Sequence, residues 1–219
     1  MKVGTDGVLL GSWANAGTIA ADAAPCGSPR VLDVGTGTGI IALMMAQRYP
    51  SCRVIALDID EDAAAQAAEN VRMSPFSGRI TVLHQRIQDH AEGHEGRYNA
   101  IVSNPPYFID SLRAPEHTRQ VARHAETLTY GELMASARRL LTDDGELSVI
   151  IPFDYRQRME DEAIFHGLFL HRSCAVSTTV TKPPRRYLLS FVKHPCRHEA
   201  QAMTIGDDSY QALMADFYL

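Results

Sequence analysis

The chain of 219 residues predicts an α/β fold, a single domain on one doubly wound sheet. Three observations predict it. Short β-branched runs alternate with helical patterns along most of the chain, the rhythm of a parallel sheet with crossover helices. The first run ends in the glycine-rich stretch VLDVGTGTGI, which turns into a helix. The fourth ends in Asn104, Pro105, Pro106 and Tyr107, where two successive prolines can neither extend a ladder nor enter a helix interior, so the chain is held as an extended loop.

The elements follow in order. Thr5 and Asp6 read as N-cap residues of a helix through Leu9 and Trp13. A strand at 30–34 leads to an apolar, alanine-rich helix at 40–48, a strand at 53–57 to a helix at 61–73, and a strand at 79–83 through a polar loop to a strand at 99–103. These are four parallel strands. A helix at 130–141, a strand at 146–151, a helix at 155–166 and strands at 168–176 and 187–193 complete the expected seven. The turn KPPRR at 182–186 joins the last two strands without a helix between them, which predicts an antiparallel hairpin. The longest stretch without an obvious element, 108–129, directly follows the proline pair, and stretches of that length in compact domains are commonly lids or binding loops.

Hydrophobic residues make up 45% of the chain and charged residues 21%, ordinary globular composition that leaves little room for a second domain. No apolar run approaches the roughly 18 residues of a membrane span, and the N-terminus lacks a signal-peptide layout, so a cytoplasmic protein is expected. Cys26, Cys52, Cys174 and Cys196 form no CxxC pair, and the nine histidines include no HExxH motif. Neither a disulfide framework nor a metal site is expected. The net charge of −5 argues against a surface that grips nucleic acid everywhere, and directs attention to local patches.

Two sets of residues carry chemistry. Asn104 and the carbonyl of Pro105 can accept the two hydrogens of a planar NH2 group while the ring of Tyr107 covers its face, which suits a nucleobase or a carboxamide nitrogen. Asp33 ends the first strand, and Gly35, Gly37 and Gly39 let the backbone approach a ligand where a helix N-terminus favours negative charge. Asp58 ends the second strand, placed to accept ribose hydroxyls. Gly37, Gly39 and Ala42 also satisfy the GxGxxA dinucleotide pattern, so these residues alone leave NAD and S-adenosylmethionine open. Asp33 two residues before the first glycine, together with Asn-Pro-Pro-Tyr after the fourth strand, favours S-adenosylmethionine.

With both sets in place, the sequence resembles the class I methyltransferases of the NPPY type, which act on amino groups. That resemblance implies a Rossmann-like seven-stranded sheet. It places Gly35, Gly37 and Gly39 on the methionine part of S-adenosylmethionine, Asp58 and Ile59 at the ribose, Asn104 beside the cofactor, and the stretch after the third strand at the adenine. In that stretch Arg86 stands where similar enzymes carry an acidic residue. Arg86 cannot accept from an adenine amino group, which leaves the backbone of Ile87, or Gln88 or Asp89. More specifically, MKVGTDGVLLGSW, NPPYF, ARH at 122–124, PPRRYLLSF at 183–191 and the closing DFYL resemble the family of bacterial tRNA1(Val) adenine-37 N6-methyltransferases.

This narrower resemblance implies catalysis by Asn104, Pro105, Pro106 and Tyr107, with Phe108 as a second stacking ring. Thr5 would close over the methionine end of the cofactor. The anticodon loop of tRNA would be the partner, met by Arg113, Arg119, Arg123 and His124 from the long loop and by Lys182, Arg185 and Arg186 from the hairpin turn, with neither metal nor membrane and a monomer as the expected state. The family has a short segment before MKVGTDG, so Met1 is expected to be either an internal start or an artificial boundary. Three competing readings are a glutamine-amide methyltransferase acting on release factors, a guanine-amine methyltransferase, and a methyltransferase fold that binds RNA without chemistry. The glutamine enzymes carry a helical domain ahead of the glycine turn, for which a turn beginning at Gly35 leaves no room.

Overall fold

The structure is a computed structural model that describes residues 4–16, 28–106 and 128–217. Its frame is one eight-stranded sheet in the order β3-β2-β1-β4-β5-β7-β6-β8. The strands are β1 (Arg30–Val34), β2 (Arg53–Asp58), β3 (Ile80–His84), β4 (Tyr98–Ser103), β5 (Leu141–Pro152), β6 (Phe169–Ser177), β7 (Arg186–Val192) and β8 (Glu199–Thr204). The first five pair in parallel. β7 runs antiparallel between β5 and β6, the expected hairpin. β1 sits centrally, with its last four residues buried, as a strand covered on both faces must be.

The helices are α1 (Thr5–Trp13), α2 (Ile40–Arg48), α3 (Glu61–Arg72), α4 (Ile87–His90), α5 (Tyr130–Leu140), α6 (Arg156–Phe165) and α7 (Asp208–Met214). Side chains alternate between the two faces of β1 and feed two apolar clusters. Val31 joins Leu9, Leu10, Trp13, Ile41 and Met45 from α1 and α2. Leu32 and Val34 join Leu133, Met134 and Ala137 from α5 and Met159 from α6. The α5 helix starts where its chemistry demands: Thr129 Oγ1 accepts from the Glu132 N–H, and the Glu132 carboxylate accepts from the Thr129 N–H, a reciprocal capping box.

The structure corrects the sequence reading in four places. The sheet has an eighth strand, β8, which pairs parallel to β6; its first four residues are exposed and only Met203 is buried, so HEAQAMT carries only a weak apolar signal. The polar loop after β3 contains the single turn α4, and α7 follows β8. Leu141 opens β5 instead of closing a helix. Gly4, not Thr5 or Asp6, is the N-cap of α1; Thr5 and Asp6 lie inside its first turn, where the carboxylate of Asp6 still faces the positive end of the helix dipole.

β4 and β5 approach closely at a register shift between Tyr98 and Ala100, and Gly145 makes that approach possible. A Cβ there would stand 2.9 Å from the Tyr98 carbonyl oxygen, a backbone atom that cannot swing aside. Gly145→Ala is therefore expected to cost about 1–3 kcal/mol and to lower the thermal midpoint by several degrees in a calorimetric scan; an unchanged midpoint would show that the two strands tolerate separation.

Candidate active site

The strand order reverses between β1 and β4, and in open α/β sheets ligands bind at such a switch point, outside the carboxyl ends of the strands. Three strand ends meet there. Val34 is level with Leu57 of β2 and with Ser103 of β4. The Ser103 hydroxyl donates to the Val34 carbonyl at 2.9 Å, tying β4 to β1 just before Asn104. The N–H groups of Gly35 and Thr36 both donate to the Leu57 carbonyl at 2.9 Å, tying the glycine turn to β2.

Gly35, Gly37 and Gly39 adopt φ of 69°, 56° and 82°, the left-handed region that an L side chain rarely enters. Among the described residues nothing lies within 4 Å of the point where a Cβ of Gly35 would stand. Gly39 plays a different part: it is the N-cap of α2, and a Cβ there would meet Ala67 of α3 at 3.4 Å.

A cavity of about 300 Å3 opens at this point. Its walls include Gly35 and Gly37 from the turn, Asp58 and Ile59 after β2, Ile87 at the start of α4, and Asn104, Pro105 and Pro106 after β4. Residues that the sequence expected in separate roles thus share one cavity. Asp60, Gln85, Arg86, Gln88 and Leu128 also line it. Asp60 was missed although LDIDED held its cue: its side chain accepts from the Ala63 N–H and caps α3. Gln85 and Leu128 carry no local pattern that marks them.

The carboxylates have distinct environments. Asp58 Oδ2 accepts from the Gly37 N–H at 2.8 Å and Oδ1 from the Asp60 N–H at 3.0 Å, so it braces the turn while lining the cavity. Asp33 lies fully buried. Its Oδ2 accepts from the Thr36 hydroxyl at 2.6 Å and from the Ala42 N–H, the third of α2, at 3.1 Å. Its Oδ1 is buried with no partner among the described residues. Burial pushes the Asp33 carboxyl up from 3.8 to about 7, against the lowering effect of its two hydrogen bonds, with the Asp58 charge adding a further push upward.

α4 is anchored from behind. His90 Nδ1 faces the Gln85 side-chain oxygen at 3.1 Å and Nε2 faces the Tyr98 hydroxyl at 2.6 Å. Since the Gln85 oxygen can only accept, Nδ1 carries the proton and Nε2 accepts from Tyr98. Burial pushes the imidazole pKa down and keeps that neutral tautomer in place.

Thr5 does not line the cavity. It borders a separate cleft with Asp6, Arg185 and Arg186, because α1 carries it towards the β6–β7 hairpin. Arg186 Nε donates to Asp6 Oδ2 at 2.8 Å, whereas Lys182 and Arg185 are exposed. Tyr107, Phe108, Arg113, Arg119, Arg123 and His124 lie outside the described residues. Among the described residues no helix is long and apolar enough to cross a membrane.

A mixed sheet in this order, with β7 antiparallel between β5 and β6, a glycine turn after β1 and a carboxylate ending β2, is the arrangement of a Rossmann-like methyltransferase. The methyltransferase small domain model matches residues 21–169. A protein of Bacteroides fragilis named tRNA1(Val) (adenine(37)-N6)-methyltransferase is 43% identical over 100% of this chain and 91% of its own length. One of the same name from Parabacteroides distasonis is 40% identical over the same shares. The chain belongs to this family of methyltransferases. The crystal structure of a predicted O-methyltransferase from Agrobacterium tumefaciens, 18% identical, covers 91% of this chain and 85% of that one with a TM-score of 0.65, a likeness of fold.

A buried carboxyl raised to about 7 takes up a proton more readily in the folded than in the unfolded chain. Between pH 4 and pH 7 the folded state therefore binds more protons, and stability falls as pH rises through this window, then levels off above it. Asp33→Asn removes the buried charge. It is expected to flatten that decline in thermal midpoints measured from pH 4 to 8, while weakening S-adenosylmethionine binding in calorimetry at pH 8. A variant with the same pH slope as the parent would place the slope elsewhere.

Proposed function

We propose that the protein transfers a methyl group from S-adenosylmethionine to the exocyclic N6 of an adenosine in tRNA, at position 37 of tRNA1(Val). One observation carries the reading: Asn104 and Pro105 open into the same cavity as Gly35, Gly37 and Asp58. An amine-holding loop and a nucleoside-holding turn would then line one cavity. The choice of base and tRNA is supported by similarity along the whole chain to relatives of that name.

The residues present fit the cofactor. The open side of Gly35 among the described residues leaves room for its approach, and Asp33 holds the turn in place through Thr36 and Ala42. Asp58 would take the ribose hydroxyls, and Ile59 and Ile87 give apolar walls for a flat base. When bound, S-adenosylmethionine supplies an electrophilic methyl on a sulfonium.

The rest of the chemistry belongs to the chain. The N6 lone pair of adenine is delocalised into the ring and is a poor nucleophile. Asn104 and the Pro105 carbonyl would each accept one amino hydrogen, drawing the nitrogen towards a pyramidal form with its lone pair aimed into the cavity. This is catalysis by positioning and by oriented dipoles. No general base is needed before transfer, because the nitrogen becomes acidic only once it is cationic; its proton then leaves to Asn104 or water. The base must first leave its stack in the anticodon loop, and Tyr107 would cover its exposed face.

The deciding experiment incubates the protein with labelled S-adenosylmethionine and, in parallel, unmodified tRNA1(Val) and a release factor, then analyses the digests by mass spectrometry. N6-methyladenosine at position 37 is expected; methylglutamine, or no product from either, would overturn the proposal. Asn104→Ala should lower the single-turnover rate by on the order of 100-fold or more with cofactor affinity changed far less. An undiminished rate would remove Asn104 from the chemistry.

A further inference from the structure

β5 carries the chain beyond the end of β4. Ser103 is level with Val149, and Phe153 stands four residues further on, at the start of the 3-10 turn Phe153–Tyr155. At about 3.3 Å per residue and 4.8 Å between strands, Phe153 lies on the order of 10 Å from Asn104, on the same edge of the sheet. The residue is 38% exposed and belongs to neither apolar cluster, although Tyr155 and Tyr187 beside it pack against one of them.

The ring is nonetheless held in a definite plane. It stacks on Tyr187 with centroids 5.1 Å apart and planes 18° from parallel. The Arg156 guanidinium lies 4.6 Å from the Tyr187 centroid and is itself paired with Glu160. The Phe153 N–H donates to the Arg185 carbonyl at 3.1 Å, which ties the residue to the turn that carries the exposed Lys182 and Arg185. A flat, backed, exposed aromatic face tied to a turn with exposed cations offers what an unpaired nucleotide requires: stacking for the base and charge for its phosphate.

We infer that Phe153 is a stacking platform for an unpaired nucleobase next to the one that enters the cavity. The inference rests on the reading of tRNA as substrate. The ring would hold the neighbouring nucleotide out of the loop stack and so fix the register in which the target adenine reaches Asn104. Phe153 is a positioning residue and touches no reacting atom.

The test uses the full-length protein with S-adenosylhomocysteine and an anticodon stem-loop in which each base flanking the target is replaced, in turn, by 2-aminopurine. In the parent protein one of the two positions should change fluorescence on binding. Phe153→Ala should raise the dissociation constant on the order of tenfold and abolish that change, and in turnover should raise KM with little effect on kcat. Phe153→Trp should retain both signals. Phe153→Leu keeps the apolar bulk without a π face and should behave like the alanine variant, so the result stands even if alanine disturbs folding. Melting temperature and S-adenosylmethionine affinity should match the parent in the leucine and tryptophan variants. Parental affinity and fluorescence in both the alanine and leucine variants would overturn the platform alone, whereas a parent protein that neither binds nor methylates the RNA would overturn the substrate reading with it.

Discussion

The site depends on a single carboxylate oxygen. Asp33 Oδ2 accepts from the Thr36 hydroxyl and from the third N–H of α2, so it joins the end of β1, the middle of the glycine turn and the start of the helix. Gly39 caps α2 without a side chain, which leaves the helix's orphan N–H groups to partners elsewhere in the fold. A buried carboxylate meets that need through both hydrogen bonding and the helix dipole. Its burial has a cost, seen in the carboxyl's rise to about 7. Its other oxygen is buried with no partner among the described residues. Strain of this kind belongs at functional sites.

Around that anchor, each strand end contributes one wall and one tether. β2 gives Asp58 and holds the turn through the Leu57 carbonyl. β4 gives Asn104 and is held to β1 through Ser103. β3 gives α4, held at its far end by a neutral histidine between Gln85 and Tyr98. Most of these tethers are hydrogen bonds between residues far apart in sequence, so the cavity walls are set by sheet register and not by local turns alone. A one-residue slip between β1 and β4 would turn Asn104 to the opposite face.

This division explains what could be read from the sequence. The central strands, α2, α3 and the hairpin were legible because each buries a face and therefore repeats an apolar period. β8, α4 and α7 were not, since they sit at the edge or span one or two turns and bury a residue or two each. The candidate site was legible where backbone demands special residues, as in three glycines with positive φ and the proline pair. It was illegible where a side chain reaches the cavity only through tertiary placement, as with Gln85 and Leu128. Phe153 belongs with these: in PFDYR it reads as one apolar residue among loop residues, and only the pairing of β5 with β7 brings it over Tyr187.

The hairpin turn shows how tertiary structure divides apparently equivalent charges. Lys182, Arg185 and Arg186 read as one basic cluster, yet Arg186 pairs with Asp6 across a partly buried bridge whose side chains are 33% and 22% exposed. Partly shielded from water and bonded through Nε, that guanidinium ties α1 to the start of β7. Lys182 and Arg185 remain at the surface. A phosphate meeting this turn would find exposed cations at low desolvation cost in those two, whereas engaging Arg186 would mean competing with a carboxylate already 2.8 Å away. The pair thus serves order more than attraction: it holds the N-terminal helix against the hairpin, and through the Phe153 N–H bond to the neighbouring Arg185 carbonyl it steadies the edge from which Phe153 projects. The basic turn and the aromatic stack are two parts of one surface because the same short segment, Arg185 to Tyr187, supports both.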